Sequence, residues 1–318
     1  MNISDGKRRF PWWHEAVLGV LLIALLITAG IVNPGFLNLR GQLLLSRHLW
    51  EFALLALPMT LIILTGGIDL SVGSAMGMCA VAFGMCYSST GSVALSCLVC
   101  LLVGVAGGGV NGWLISRMNV HPLIVTLATY AAFRGLGEGL SQGESYSQFG
   151  EDFSEVARGM WGGVPIPAYL FGLLALGCAL FLSRTPGGRY VYAIGHNEQA
   201  VRFSGVNVGR VKLLLYASSG LMAGLTTIIY VSRFDTAKAD AGTGFELDVI
   251  TAVVVGGTSI YGGRGNIGGT VLGLLLIHET RQFVSRQWQV DELKSIVVGL
   301  LLIGSLLLYR GMQVRNRE

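Results

Sequence analysis

The chain has 318 residues, of which 52% are hydrophobic and only 13% charged, against about 25% charged in an ordinary soluble domain; a mean hydropathy of +0.62 excludes a water-soluble globule. The formal net charge is +4, but the cations are scattered among short connections and form no single basic surface, which excludes nucleic acid as a partner. The apolar residues come in continuous blocks near the ~20 residues that carry a helix across the bilayer, without the alternation of a barrel wall, so the fold class is all-α: a polytopic transmembrane helical bundle, with residues 1–318 forming one domain.

In chain order the blocks predict about ten spans, near residues 16–33, 50–66, 70–88, 93–117, 121–140, 166–183, 212–232, 246–262, 266–283 and 293–310. Lys7, Arg8 and Arg9 ahead of the first block look like the start of a signal peptide. However, Thr28-Ala-Gly-Ile-Val-Asn-Pro34 offers no A-x-A cleavage site, and the block reads as an uncleaved helix. With the N-terminus inside, the inner loops and tails hold Lys7, Arg8, Arg9, Arg117, Arg184, Arg189, Arg202, Arg210, Lys212, Arg264, Arg310, Arg315 and Arg317, thirteen of the twenty-two lysines and arginines. The outer cations are offset by Glu144, Glu151, Asp152, Glu155, Asp235, Asp240, Asp291 and Glu292, so the bias puts both termini in the cytoplasm.

The second and eighth spans each end near a paired glycine, Gly66-Gly67 and Gly256-Gly257, and each is followed closely by another apolar helix. Interrupted hydrophobic segments at corresponding places in two halves expose backbone groups that a polar solute can meet. The four glycines are therefore read as helix breaks and as a weak internal repeat. Thr65-Gly-Gly-Ile-Asp-Leu-Ser-Val-Gly-Ser74 places Asp69 and Ser71 at membrane depth, where an acid must pair, cap a helix or face water. Capping of the third helix and lining of a solute pathway both stay open. Cys79, Cys86, Cys97, Cys100 and Cys178 all lie in apolar blocks; Cys97-Leu-Val-Cys100 has redox spacing but neither exposure nor further ligands, and reads as packing. Gly104, Gly108 and Gly112 recur every four residues beside Asn111 and predict a smooth face for close helix approach. Thr126 and Thr129 either bond back to their own helix or face a solute. Arg134 and Glu138, one turn apart, predict an i,i+4 ion pair.

Two connections exceed ordinary length: an acidic outer one at 141–165 and a basic inner one at 184–211, each a docking surface or a solvated linker. In the inner one, residues 197–203 suit one or two helical turns capped by Asn197. Such a helix is too short to stand alone and suits a partner's groove, presenting Ala200 and Phe203 with Glu198 and Arg202 around them. There is no GxxxxGK[ST], HExxH or GxSxG, so the chain is not expected to be an enzyme or to hydrolyse ATP. Gly262-Gly-Arg-Gly-Asn-Ile-Gly-Gly269 lacks the lysine of a phosphate loop and reads as a tight turn. His278 and Glu279 lack companions for a metal, and no metal or cofactor is expected on this chain.

Taken together, Asn33-Pro-Gly-Phe-Leu-Asn38, Leu64-Thr-Gly-Gly-Ile-Asp-Leu-Ser-Val-Gly73, Gly109-Val-Asn-Gly112, Ile124-Val-Thr-Leu-Ala-Thr129 with Arg134-Gly135, the loop from Gly188 to Val208, and Phe245-Glu-Leu-Asp-Val-Ile250 running into Gly256-Gly-Thr-Ser259 resemble, nearly end to end, the permease family of monosaccharide ABC importers of the ribose, xylose, arabinose and galactose type. The resemblance implies an inner-membrane half-transporter that pairs with a second copy or a close paralogue. It also implies an ABC ATPase subunit that uses the ATP, and a periplasmic sugar-binding protein that delivers the solute. Asn197, Glu198, Ala200, Arg202, Ser204 and Gly205 look like the family's ATPase-coupling loop, with Gln199 where a glutamate is usual; Ala128 stands where the family usually has glycine. A sugar needs a wet path of weak, replaceable hydrogen bonds, for which Thr60, Asp69, Ser71, Ser74, Asn111, Thr126 and Thr129 are the candidates. The alternative cargo is a furanosyl signalling molecule of the autoinducer-2 kind, whose permeases resemble the sugar ones. A carrier driven by an ion gradient is the other class, and would use a membrane-embedded acid such as Asp69 or Asp248.

Overall fold

The computed structural model describes residues 13–288, 293, 296–301, 303 and 304. Both termini, Lys7, Arg8, Arg9, Asp291, Glu292, Arg310, Arg315, Arg317 and much of the predicted tenth span lie outside the described residues.

The first helix is α1 (Trp13–Val32). Then α2 (Leu39–Leu45) runs through a 3-10 turn at Ser46–His48 into α3 (Leu49–Leu64), followed by α4 (Val72–Thr90), α5 (Val93–Arg117) and α6 (Pro122–Ser141). The predicted outer connection carries β1 (Tyr146–Ser147), α7 (Glu151–Arg158), β2 (Met160–Trp161) and β3 (Val164–Pro165) before α8 (Ile166–Arg184). The predicted inner connection is α9 (Pro186–His196) and α10 (Glu198–Phe203); then follow α11 (Val208–Phe234), β4 (Thr236–Ala237), α12 (Phe245–Val255) and α13 (Ile267–Trp288). Short polar side chains start several of these helices by accepting from a first-turn amide: Ser92 from Leu95, Thr185 from Gly188 and Asn207 from Arg210.

Among the described residues, six stretches are long and apolar enough to cross a membrane by length and composition: α1, the continuous run Leu39–Leu64, α4, α5, α8 and α11. The helices α6 and α13 have the length, 20 and 22 residues, but carry charged residues among threonines and glycines. The eighth predicted span is shorter than the sequence reading drew it. Its helix, α12, has 11 residues and covers only about 16 Å, because the chain turns at Gly256.

Every residue of α3 except Trp50 is buried, and α8, α11, α12 and α13 pack around it. On the far side of α11 lie α4, α5 and α6. The first helix leans on α13 at the rim, with Leu18 buried against Val255 and Leu276, and leaves Val20, Ile23, Ile27 and Ile31 exposed, as a lipid-facing helix does. The predicted glycine face of α5 is the tightest joint: a Cβ on Gly104 would collide with the Gly220 carbonyl, one on Gly108 with the Tyr216 carbonyl, and one on Gly112 with the Leu213 backbone. With lipid as apolar as the side chains, such backbone contact is what holds two helices together.

The outer connection is not a free linker. Phe149 meets Phe83 of α4 edge-on and Phe153 stacks on it, with centroids 5.1 and 5.4 Å away. Ser232 Oγ donates to the Phe153 carbonyl at 2.6 Å and accepts from Ala157 N at 3.1 Å, and β1 pairs with β4 in the register Tyr146↔Ala237. The expected Arg134–Glu138 pair is not formed. Arg134 Nη1 donates instead to the Ala239 carbonyl, because Gly77 on α4 leaves room for the 238–244 segment to sink toward α6.

Gly220→Ala is expected to lower stability by about 1–3 kcal/mol through overpacking, read as earlier thermal unfolding in detergent. Gly109→Ala, on the open face of the same joint where a Cβ meets nothing within 4 Å, should leave the transition unchanged; equal behaviour of the two would contradict the close approach.

Candidate functional site

The two predicted breaks are built alike. In the first, Gly66 N donates to the Ile63 carbonyl at 2.9 Å and Gly67 N to Ile62 at 3.1 Å; in the second, Gly257 N donates to Val254 at 2.9 Å and Thr258 N to Val253 at 3.2 Å. Gly66 and Gly257 both take positive φ, 80° and 91°, which is the glycine-favouring helix stop. The sequence reading aligned Gly66-Gly67 with Gly256-Gly257; the backbone aligns Gly66 with Gly257, one residue along.

The breaks also touch. Gly263 N donates to the Leu64 carbonyl, the last of α3, at 2.8 Å. Over this bond lies Gly195 of α9, so close that a Cβ there would collide with both Leu64 O and Gly263 N. Tyr192 Oη donates to the Gly265 carbonyl at 2.8 Å, a second tie from the inner connection to the 256–266 turn.

Beyond the first break, Asp69 sits at the centre of a buried polar cluster. Its Oδ1 accepts from Ser71 N at 3.0 Å and from Ser71 Oγ at 2.7 Å, and its Oδ2 from Ser219 Oγ at 2.8 Å. Asn111 Nδ2 donates to Ser71 Oγ at 2.8 Å. The capping expectation fails in its strict form: Ser71 is the N-cap residue of α4 but makes no side-chain cap bond, and Asp69 holds the amide of Ser71 itself. The cluster joins α4, α5 and α11, and Asp69, Ser71, Asn111, Ser219 and Gly108 enclose a cleft with no space for a water molecule.

Of the other pathway candidates, Ser74 Oγ donates to the Ser71 carbonyl at 3.0 Å and Thr126 to the Ile68 carbonyl at 3.2 Å, where Tyr216 Oη also arrives at 3.4 Å. Thr129 bonds back to Val125 O at 3.1 Å. Thr60 lies elsewhere, against Thr270 Oγ1 at 2.9 Å. Ser219 and Tyr216 are not among the predicted pathway residues; the one local mark of Ser219 is the Ser-Ser-Gly at 218–220 within an apolar helix.

In the inner connection Asn197 caps α10 as expected, its Oδ1 accepting from Ala200 N at 2.9 Å. Glu198 bridges Arg202 at 2.7 Å and Lys212 of α11 at 2.6 Å. Val201 is the buried residue of α10, while Ala200 lies exposed and Phe203 is 92% exposed. Ser204 and Gly205 end the helix, with Gly205 at φ 84°. The preceding α9, absent from the sequence reading, fills the space between α10 and the breaks.

Residues 47–306 match the model of the family described as branched-chain amino acid transport system / permease component. The autoinducer 2 import system permease protein LsrD of Photorhabdus laumondii is 36% identical over 309 residues, covering 95% of this chain and 91% of that protein. Proteins of the same name match from Photorhabdus luminescens, 35% identical over the same shares, and from Yersinia pestis, 34% identical over 93% of this chain and 90% of that protein. No solved structure matches the chain.

Two outcomes are expected from this geometry. Gly195→Ala should lift α9 from the breaks, so that the Gly263 amide exchanges hydrogen faster while amides of the α5–α11 joint do not; unchanged exchange at Gly263 would dissolve the junction. Burial alone would raise the Glu198 carboxyl, but Lys212 and Arg202 hold it below the ordinary glutamate value near 4.5. The clasp is therefore present at neutral pH and is lost only as pH falls below 4.5, through the lower folded value. A carboxyl NMR titration of Glu198 with its midpoint at or above 4.5 would contradict this, and Lys212→Ala should move the midpoint upward.

Proposed function

Because the chain belongs to the family of branched-chain amino acid transport system permease components, and is a multi-pass inner-membrane permease of the ATP-driven sugar-importer class, we propose that it forms half of a translocation pathway for a small polyhydroxylated solute. Autoinducer 2 is the first candidate, because the matched relatives carry that name; a monosaccharide of the ribose type is the second. In this reading residues 1–318 form a single domain of about ten spans with both termini in the cytoplasm. The partners are an ABC ATPase subunit, a periplasmic solute-binding protein and a second permease, either a copy or a paralogue. ATP is consumed by the partner, and this chain changes no covalent bond of the solute.

The observation that carries the reading is α10. A six-residue helix is too short to persist by itself, yet this one is capped by Asn197 and clamped through Glu198 to α11, and on that platform it holds the Phe203 ring out in water. An aromatic ring on a rigid inner platform is built for a groove on another protein. Asn197, Glu198, Ala200, Arg202, Ser204 and Gly205 then form the ATPase-coupling loop. Movement of the ATPase dimer would tilt α10 and α9, and α9 rests on both breaks. Thr60, Ser74, Thr126 and Thr129 belong with Asp69, Ser71 and Asn111 to the polar path in this reading. The ion-gradient alternative finds less support, because Asp69 is filled by three donors and Asp248 is paired with Arg281 at 2.5 Å.

The test is uptake into proteoliposomes holding the chain with its ATPase and binding-protein partners. ATP-dependent uptake of autoinducer 2 or D-ribose is expected, and Phe203→Ala should weaken ATPase association by about tenfold or more while the folded permease is recovered in normal yield. Uptake by this chain alone, driven by a proton or sodium gradient and indifferent to ATP, would overturn the assignment.

A further inference from the structure

The outer half of the bundle contains three acids and three arginines facing one another between helices. Two couples are closed. Arg233 spans both oxygens of Glu51, at 2.5 and 2.8 Å, and Arg281 Nη2 donates to Asp248 Oδ1 at 2.5 Å. The third couple, Arg134 of α6 and Glu246 of α12, is close enough to interact electrostatically, yet the two share no hydrogen bond. Glu246 is 8% exposed; the backbone of Glu246 and Gly244 favours its charged carboxylate, but its Oε2 and Arg134 Nη2 are buried with no hydrogen bond of normal geometry.

The seat of this open couple is formed by missing side chains. On α4, a Cβ at Gly73 would collide with the Glu246 carboxylate and the Gly242 carbonyl, and a Cβ one turn later at Gly77 would collide with the Ala239 carbonyl. The irregular 238–244 segment is thus pressed into a glycine groove, with two carbonyls, one carboxylate and one guanidinium gathered at one place. A buried donor and a buried acceptor left unmade cost more than a typical hydrogen bond returns; Arg281 Nε is also left without a partner, but only in this couple do an acid and an arginine face each other with no hydrogen bond between them.

We propose that Glu246 and Arg134 form a solute-contact site for a neutral polyhydroxylated molecule, whose hydroxyls donate to Glu246 Oε2 and whose oxygens accept from Arg134 Nη2. The site deepens the importer reading and rests on it, and it lies on the opposite flank of the α4 N-terminus from Asp69. A hydroxylated solute satisfies both orphan atoms while leaving their charges balanced against each other. A zwitterionic amino acid could bridge the same two charges, with Met76 beside Gly242 as an apolar contact, but the Ala239 and Gly242 carbonyls and exposed Asp240 and Thr243 favour a ligand rich in hydroxyl donors.

The test uses the full chain with its partners in proteoliposomes, on a background with the five cysteines replaced by alanine. Glu246→Cys is treated with a membrane-impermeant methanethiosulfonate from the binding-protein side; labelling is expected in at least one nucleotide state, slowed by D-ribose or autoinducer 2 and not by leucine. In parallel, Glu246→Gln should raise KM for uptake about tenfold or more at nearly constant kcat, while Leu247→Ala at the exposed neighbour leaves both unchanged. If Glu246→Cys does not assemble, Thr243→Cys serves the labelling arm. Absence of labelling in every nucleotide state, or a fall in kcat at constant KM for both Glu246→Gln and Glu246→Ala, reduces the position to a helix anchor and overturns the site. Slowing by leucine instead of the polyols overturns the ligand class. Failure of the importer reading would appear separately, as wild-type uptake that ignores ATP, because the labelling arm needs no transport.

Discussion

The carbonyl of Leu64 is the constraint on which the junction of the two helix breaks turns. A helix that stops inside a membrane protein leaves its last carbonyls without water to bond. Here the donor comes from Gly263, far along the chain, at 2.8 Å. The bond exists only because Gly262 and Gly263 take positive φ, 84° and 73°, and because Gly195 has no side chain to hold α9 away. Three remote segments therefore meet in backbone contact: the end of α3, the turn after α12 and the last residues of α9. The inner connection thus belongs mechanically to the helix breaks, and any displacement of α9 acts on both at once.

The same device recurs wherever two segments must be held without hydrophobic drive. The α5–α11 joint uses Gly104, Gly108 and Gly112 against the backbone of α11, and α4 receives the 238–244 segment through Gly73 and Gly77. Contacts of backbone on backbone have two practical properties. They are intolerant of any added methyl group, and they carry almost no rotamer freedom, so they transmit displacement rather than absorb it. In such a molecule a short helix such as α10 has no large surface to work with and needs none, since Glu198 fixes it to α11 and Val201 to the inner-loop core.

Much of this was legible in the sequence, for identifiable reasons. Continuous apolar blocks and four-residue glycine spacing are direct consequences of lipid as solvent, so the helical class, the α5 face and the Gly66 stop followed from them. Asn197 as a cap was readable because the signal is local. What failed was long-range. Arg134 and Glu138 have ideal helical spacing, but Arg134 found a carbonyl 105 residues away that no local pattern announces. The eighth span read as full length because Val253 to Tyr261 stays apolar on average across a turn that only glycine φ angles reveal. Ser219 was invisible because a lone serine in an apolar helix usually bonds to its own backbone, and only the fold places it against Asp69. The outer connection, acidic and long, looked like a linker because its anchoring bonds run from backbone amides and carbonyls to Ser232 and Asp235.

The conformation itself bears on how a solute passes. Around Asp69 the cleft between α4, α5 and α11 has no space for water, and the carboxylate is already satisfied by two hydroxyls and one amide. This is a closed arrangement. In the proposed pathway, passage at this depth would need α11 to separate from α4; opening would remove Ser219 Oγ from Asp69 Oδ2, a hydroxyl donor that a polyol would replace in kind, so the solute would offset the bond that the movement breaks. A charged cage would bind the solute tightly and release it slowly, whereas hydroxyl-for-hydroxyl exchange is nearly neutral in free energy. The direction of movement must then come from outside the cluster. The route available is the one through α9 to Leu64 and Gly263, which reaches the N-terminal approach to α4 through the same break that positions Asp69.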